Sequence, residues 1–215
     1  MWPLLVALAA LAAMPGTASA KDPGRWVVTG ATSVPVEYFQ GLTTNPRDTS
    51  VYFVGLFQGL WKTTPTLRRT AALPDAIPLS VAATEGYNHI GDPTWNRAGV
   101  VLPLECYDPG GGGNFCGTGS FGVADPATLA WRYYVKLDPA EIPKAMWAET
   151  SPDGKLIWTS SGDDLLAYRS SDVVAANAGP AAAPIRAARR LAGAAAAARE
   201  RGMNRLAERL EKAAA

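Results

Sequence analysis

Apolar residues come in short runs in this chain, each broken by glycine, proline or a polar cluster, and that rhythm predicts strands over most of the length. Val34-Pro35-Val36-Glu37-Tyr38-Phe39 reads as a strand that starts with a proline, which suits an edge position. A turn follows over Gln40 to Asp48, then a β-branched and aromatic strand over Val51 to Gly55 and a further short strand over Phe57 to Thr64. The same order of turn, strand, break and strand returns at Gly91 to Gly99, Val100 to Leu104 and Gly119 to Asp125. It returns again at Glu149 to Lys155, Leu156 to Ser160 and Leu165 to Arg169. Trp131-Arg132-Tyr133-Tyr134 reads as one more strand, buried on one face. The three turns that carry proline begin near Asn45, Asp92 and Ser151, at spacings of 47 and 59 residues.

Repeats of this length, built from short strands and Gly/Pro turns, predict a mainly β fold of antiparallel sheets arranged as propeller blades. A β-sandwich, also made of short turn-punctuated strands, is the second reading; the long period favours blades. Ser151-Pro152-Asp153-Gly154-Lys155-Leu156-Ile157-Trp158-Thr159-Ser160 resembles the Ser-Pro-Asp-Gly-Lys hairpin of the YVTN and quinoprotein-like β-propellers. There a Pro-Asp-Gly turn joins two strands of a blade and a strand like Leu165-Leu166-Ala167-Tyr168 closes it. The resemblance spans residues 34–172 and implies a β-propeller-like repeat domain over 21–172. Only three units are legible, while closed propellers have about four to eight blades. The expected fold is therefore an incomplete set of propeller-like repeats.

Both ends have a different character. Met1 to Ala20 carries an apolar run from Leu4 to Ala13, a Pro15-Gly16 breaker and Ala18-Ser19-Ala20, the layout of a signal peptide cleaved after Ala20. The run is about half of the roughly 20 residues needed to span a bilayer, so a secreted chain, extracellular or periplasmic, with no stable membrane span is expected. Residues 173–184 read as an Ala/Gly/Pro-rich linker, and 185–215 as an Ala/Arg-rich helical tail with Met203, Leu206 and Leu210 on one thin stripe. The net charge of +1 hides a division: residues 21–185 hold 12 Lys and Arg against 16 Asp and Glu, and residues 186–215 hold 8 against 3. The basic tail reads as a solvated helix rather than a nucleic-acid surface.

Export changes the reading of the two cysteines. Cys106 and Cys116 enclose nine residues, four of them consecutive glycines that let the loop close, and in an oxidising compartment they predict a disulfide.

Candidate chemistry centres on the single histidine. Asn88, His89, Asp92 and Glu105 form an oxygen-rich set with one imidazole, which suits a hard cation such as calcium better than zinc. Calcium-dependent lactonases and phosphotriesterases of the propeller class use Asn, Asp and Glu in this way, so the resemblance implies a channel metal site as one reading. The other reading has His89 buried and bonded to the backbone, with Asp92 capping the turn before Pro93. Acyl transfer would have to use His89 and lacks a Gly-x-Ser-x-Gly elbow; Gly117 to Gly122 has no Gly-Lys-Ser/Thr for a phosphate loop. The favoured function is a module binding a small-molecule, glycan or protein ligand. A calcium-dependent hydrolase and a propeller fragment without activity of its own are the alternatives.

Overall fold

The computed structural model describes residues 30–55, 57–108, 110, 116–175 and 184–191. The expected signal peptide, most of the linker and residues 192–215 of the tail lie outside them.

Three antiparallel sheets account for the described fold, which is mainly β. Blade 1 consists of β1 (Gly41–Thr44), β2 (Val51–Val54), β3 (Leu60–Thr63) and β4 (Arg69–Leu73), paired in chain order. In blade 2, β5 (His89–Ile90) and β6 (Thr94–Asn96) both pair with β7 (Gly99–Glu105), followed by β8 (Ser120–Ala124) and β9 (Trp131–Lys136). Blade 3 holds β10 (Glu149–Thr150), β11 (Leu156–Ser161), β12 (Asp164–Arg169) and β13 (Arg189–Leu191). Blades 1 and 3 meander strand by strand, and blade 2 does so from β7 outward, as propeller blades do.

The hidden member of each unit is the strand just before the first predicted one. Gln40 to Asp48 and Gly91 to Gly99, expected as turns, contain β1 and β6, and Glu149 and Thr150 form β10. These segments are too short and too polar to read as strands, because they converge on one another instead of on apolar core. β6 lies against both β1 and β10. Threonine hydroxyls stitch the three together: Thr43 Oγ1 accepts from the Trp95 N–H at 3.0 Å, and Thr94 Oγ1 accepts from the Thr150 N–H at 3.0 Å.

Two clusters of buried side chains glue the blades face to face. Tyr52, Val54 and Leu60 of blade 1 pack on Val100, Leu102 and Leu104 of blade 2. The opposite face of blade 2, with Val101, Phe121 and Val123, packs on Ile157, Leu166 and Tyr168 of blade 3. Every residue of β7 and β8 is buried as a result. Polar contacts add register, since Tyr52 Oη and Lys62 Nζ both donate to the Pro126 carbonyl at 2.8 and 2.9 Å.

Two local expectations are corrected, and two unexpected helices are added. Val34 to Phe39 is not a strand: Val36–Tyr38 is a 3-10 turn, set off by Pro35 at φ −53°, that stacks Tyr38 on Phe53 at 4.6 Å between ring centroids. The Ala/Arg-rich helix does not begin at Ile185. Ile185 bridges Leu137, and β13 continues blade 3 beside β12, because that sheet lacks an outermost strand until residues 189–191 supply it. Two short helices went unread, α1 (Leu79–Glu85), which Gly86 closes in the left-handed conformation, and α2 (Ser170–Ala175).

Asp125 shapes the β8–β9 hairpin. One carboxylate oxygen accepts from the Ala127 and Thr128 N–H groups at 2.8 Å, and the other pairs with Arg132 at 2.6 Å. The Thr128 backbone bond above all holds its pKa down at about 2, below the usual 3.8. A depressed carboxyl contributes stability that is present above its unfolded pKa and lost as pH falls through the folded value. Between about pH 4 and 2 the wild-type chain therefore loses stability that an Asp125→Asn variant does not, by at most about 1 kcal/mol after solvent screening. Urea titrations at pH 5 and pH 2.5 measure the difference.

Candidate functional site

β5 faces the end of β7, and this register puts His89 directly opposite Glu105. Both side chains are buried, and Nδ1 of His89 lies 2.8 Å from Oε1 of Glu105. The approach is close without being an aligned hydrogen bond, since Nδ1 has no partner in hydrogen-bonding geometry. The other ring nitrogen, Nε2, meets Oε1 of Gln40, just before β1, at 3.0 Å. Tyr107 tilts its ring over the imidazole at 5.2 Å.

Asn88 spends both ends of its amide on the backbone of Tyr107, donating to the carbonyl at 2.9 Å and accepting from the N–H at 2.7 Å. Asp92 lies beyond the pair, its backbone bridged to Trp147 of the segment that leads into β10. Desolvation pushes the Asp92 carboxyl above its usual value, and the charge of His89 opposes that shift. The structure thus brings His89 and Glu105 together and commits Asn88 to a loop. No group of three or more His, Cys, Asp or Glu among the described residues is placed to hold a metal ion. The arrangement ties blade 1 to blade 2 at the mouth of the convergence and moors the loop after β7.

That loop is closed by the Cys106–Cys116 disulfide, with Cα atoms 5.4 Å apart, as the spacing predicts. Cys106 is buried and Cys116 half-buried. Reducing the bridge, or replacing both cysteines by serine, lowers the unfolding free energy by about 2–3 kcal/mol through loop entropy. The melting midpoint falls by roughly 5–10 °C, measurable by calorimetry with and without reductant.

A large concavity lies elsewhere, on the outward face of blade 3, where Asn96 and Arg97 of blade 2 also reach it. β11 alternates along its length: Ile157 and Thr159 point into the core and are fully buried, while Leu156, Trp158 and Ser160 face outward and are half-exposed. Glu149 stands opposite Trp158 in register, and Leu165 opposite Ser160. Trp147 folds over the inner edge, its indole N–H donating to Ser160 Oγ at 2.8 Å, and Val174 of α2 rises at the rim with about half its surface exposed. Trp147, Glu149, Leu156, Trp158, Leu165 and Val174 line a cavity of about 1340 Å³ with mostly apolar walls. Desolvation pushes the Glu149 carboxyl above its usual range. The geometry offers a broad, hydrophobic, tryptophan-bearing surface with charges at its margin. Sequence reasoning missed it. The signal was the unbroken apolar character of Leu156-Ile157-Trp158 and Leu165-Leu166-Ala167-Tyr168, the mark of a strand buried on both faces.

No known protein family and no curated protein matches this chain. Among solved structures, a chain of the "Crystal Structure of Mitotic Checkpoint Complex" aligns at TM-score 0.38 and 14% identity, over 60% of this chain and 35% of that one. A "Europium-containing methanol dehydrogenase" aligns at TM-score 0.38 and 15% identity, over 60% and 30% of the two chains. "Kuenenia stuttgartiensis Hydrazine Synthase" aligns at TM-score 0.33 and 8% identity, over 77% and 52%. The chain thus spans about a third to a half of the length of these structures, and matches of this size assign it neither family nor activity.

Proposed function

We propose that this chain is an exported, propeller-like binding module whose binding surface is the outward face of blade 3. The carrying observation is the cavity of about 1340 Å³ around Trp147, Trp158, Leu156 and Leu165, an apolar face left without a neighbouring sheet among the described residues. Contiguous exposed apolar surface of this kind is the usual mark of an interaction site, and tryptophan is the residue that most often anchors one. Export is supported by the Cys106–Cys116 disulfide and by the leader-like first twenty residues. No helix among the described residues is long and apolar enough to cross a membrane.

Placing a photo-crosslinking amino acid at Leu165, in cells that express the full chain, tests the surface. A crosslinked polypeptide that disappears when Trp158→Glu is added supports the reading; a chain that never crosslinks to another polypeptide defeats it. Sequencing the N-terminus of the protein recovered outside the cytoplasm tests export, which requires it to start at Lys21.

A further inference from the structure

We propose that the open face of blade 3 takes the open face of blade 1 from a second copy of this chain, so that two copies close a ring of six blades. The inference rests on the reading of blade 3 as a binding surface and names what binds there.

Blade 2 shows what a satisfied blade looks like: both faces are covered, and its inner strands are buried throughout. Blades 1 and 3 each bury one face against it and turn an apolar face outward. On blade 3 that face carries Leu156, Trp158 and Leu165. For blade 1 the register identifies it. Thr43 reaches β6, so its neighbour Leu42 points the other way, in one row with Phe53 and Trp61. Tyr38 covers Phe53 and Trp61, yet the surface it completes is itself apolar and open: Leu42 is 58% exposed, Phe39 69% and Val36 84%.

The two open faces are not alike; they are successive. The outward side of blade 3 corresponds to the side of blade 2 that receives blade 3, and the outward side of blade 1 corresponds to the side of blade 3 that meets blade 2. Docking blade 3 onto blade 1 of another copy therefore follows the order of the junction that the chain already makes twice, with the Val36–Tyr38 turn lying between the two sheets. Such a head-to-tail contact gives a ring if the rotation closes and an open polymer if it does not. Closed propellers hold about four to eight blades. Two copies of the three described blades make six, within that range. The resulting dimer has two identical junctions related by a two-fold axis.

Sedimentation equilibrium of the full chain over a range of concentrations tests this, with a single species at twice the mass of one chain as the expected result. Trp158→Glu and Leu42→Glu each put a charge on one of the two faces at a surface position, so both variants keep the native far-UV circular dichroism and melting transition while dropping to the mass of one chain. The decisive sample is their equimolar mixture. One chain then keeps a native blade 1 face and the other a native blade 3 face, so one intact junction forms and the mixture regains a dimer. A chain that stays monomeric overturns the proposal, as does growth into polymers. A Leu42→Glu variant that dimerises like the wild type also overturns it, because blade 3 would then be pairing with itself. A monomer whose position 165 crosslinks to a different protein overturns the second copy and leaves the binding surface standing; a monomer with no crosslink removes both.

Discussion

Phe121→Ala lowers the stability of this chain by about 3–5 kcal/mol, the range for deleting a fully buried aromatic ring. Phe121 is fully buried on the face of blade 2 that meets blade 3, edge-on to the ring of Tyr168 at 5.6 Å. Removing it takes away the ring's own burial and leaves a void that neighbours on two rigid sheets cannot collapse to fill. The melting midpoint falls by roughly 10 °C on the scale for a chain of this size. A double-mutant cycle with Tyr168→Ala separates the ring pair from the void: a coupling of about 0.5–1.5 kcal/mol assigns that share to the edge-to-face contact. A cost below about 1 kcal/mol would mean that blades 2 and 3 do not pack through this face.

Gly91→Ala has the second large effect, for a steric reason. A Cβ on residue 91 would lie 2.0 Å from the carbonyl oxygen of Met146 and 2.6 Å from its carbonyl carbon, both backbone atoms that no rotamer change can move. The segment is already fixed, because Gly91 N–H bonds to the Pro103 carbonyl, Asp92 N–H to Met146 and Ala148 N–H to Asp92, all within 3.0 Å. The methyl group pushes the chain before β10 away from blade 2 and breaks the Asp92–Trp147 bridge. Overpacking of this kind costs about 3 kcal/mol, the upper end of its usual range. The midpoint of urea unfolding reports it; a midpoint equal to that of the wild type would show that the segments do not approach so closely. Trp147 shifts with its segment, so crosslinking from position 165 weakens in the same variant.

Much of the architecture was legible because blade strands are short and alternate with turn residues. Val51–Val54, Gly99–Glu105, Leu156–Ser161 and Asp164–Arg169 fall where β-branched and aromatic runs predict them. The Cys106–Cys116 pairing followed from a ten-residue separation and a glycine-rich loop. One inner strand of each blade did not show, since Gly41–Thr44, Thr94–Asn96 and Glu149–Thr150 carry the composition of turns. Their strand character comes from neighbours distant in sequence, such as Thr43 to Trp95 and Thr94 to Thr150. His89 and Glu105 do meet, but the amide of Asn88 is held by Tyr107, a partner that nothing in its spacing reveals.

By itself the sequence determined which segments want apolar neighbours on both faces, where the chain turns, and which cysteines can pair. Those properties are local: propensity, alternation and loop length act within a few residues. Only the tertiary structure decided which faces find a neighbour. Leu102 and Trp158 sit in equally apolar strands, yet Leu102 is enclosed between two blades and Trp158 lines an open cavity. The difference lies in blade order, because a middle sheet has neighbours on both sides and a terminal sheet on one.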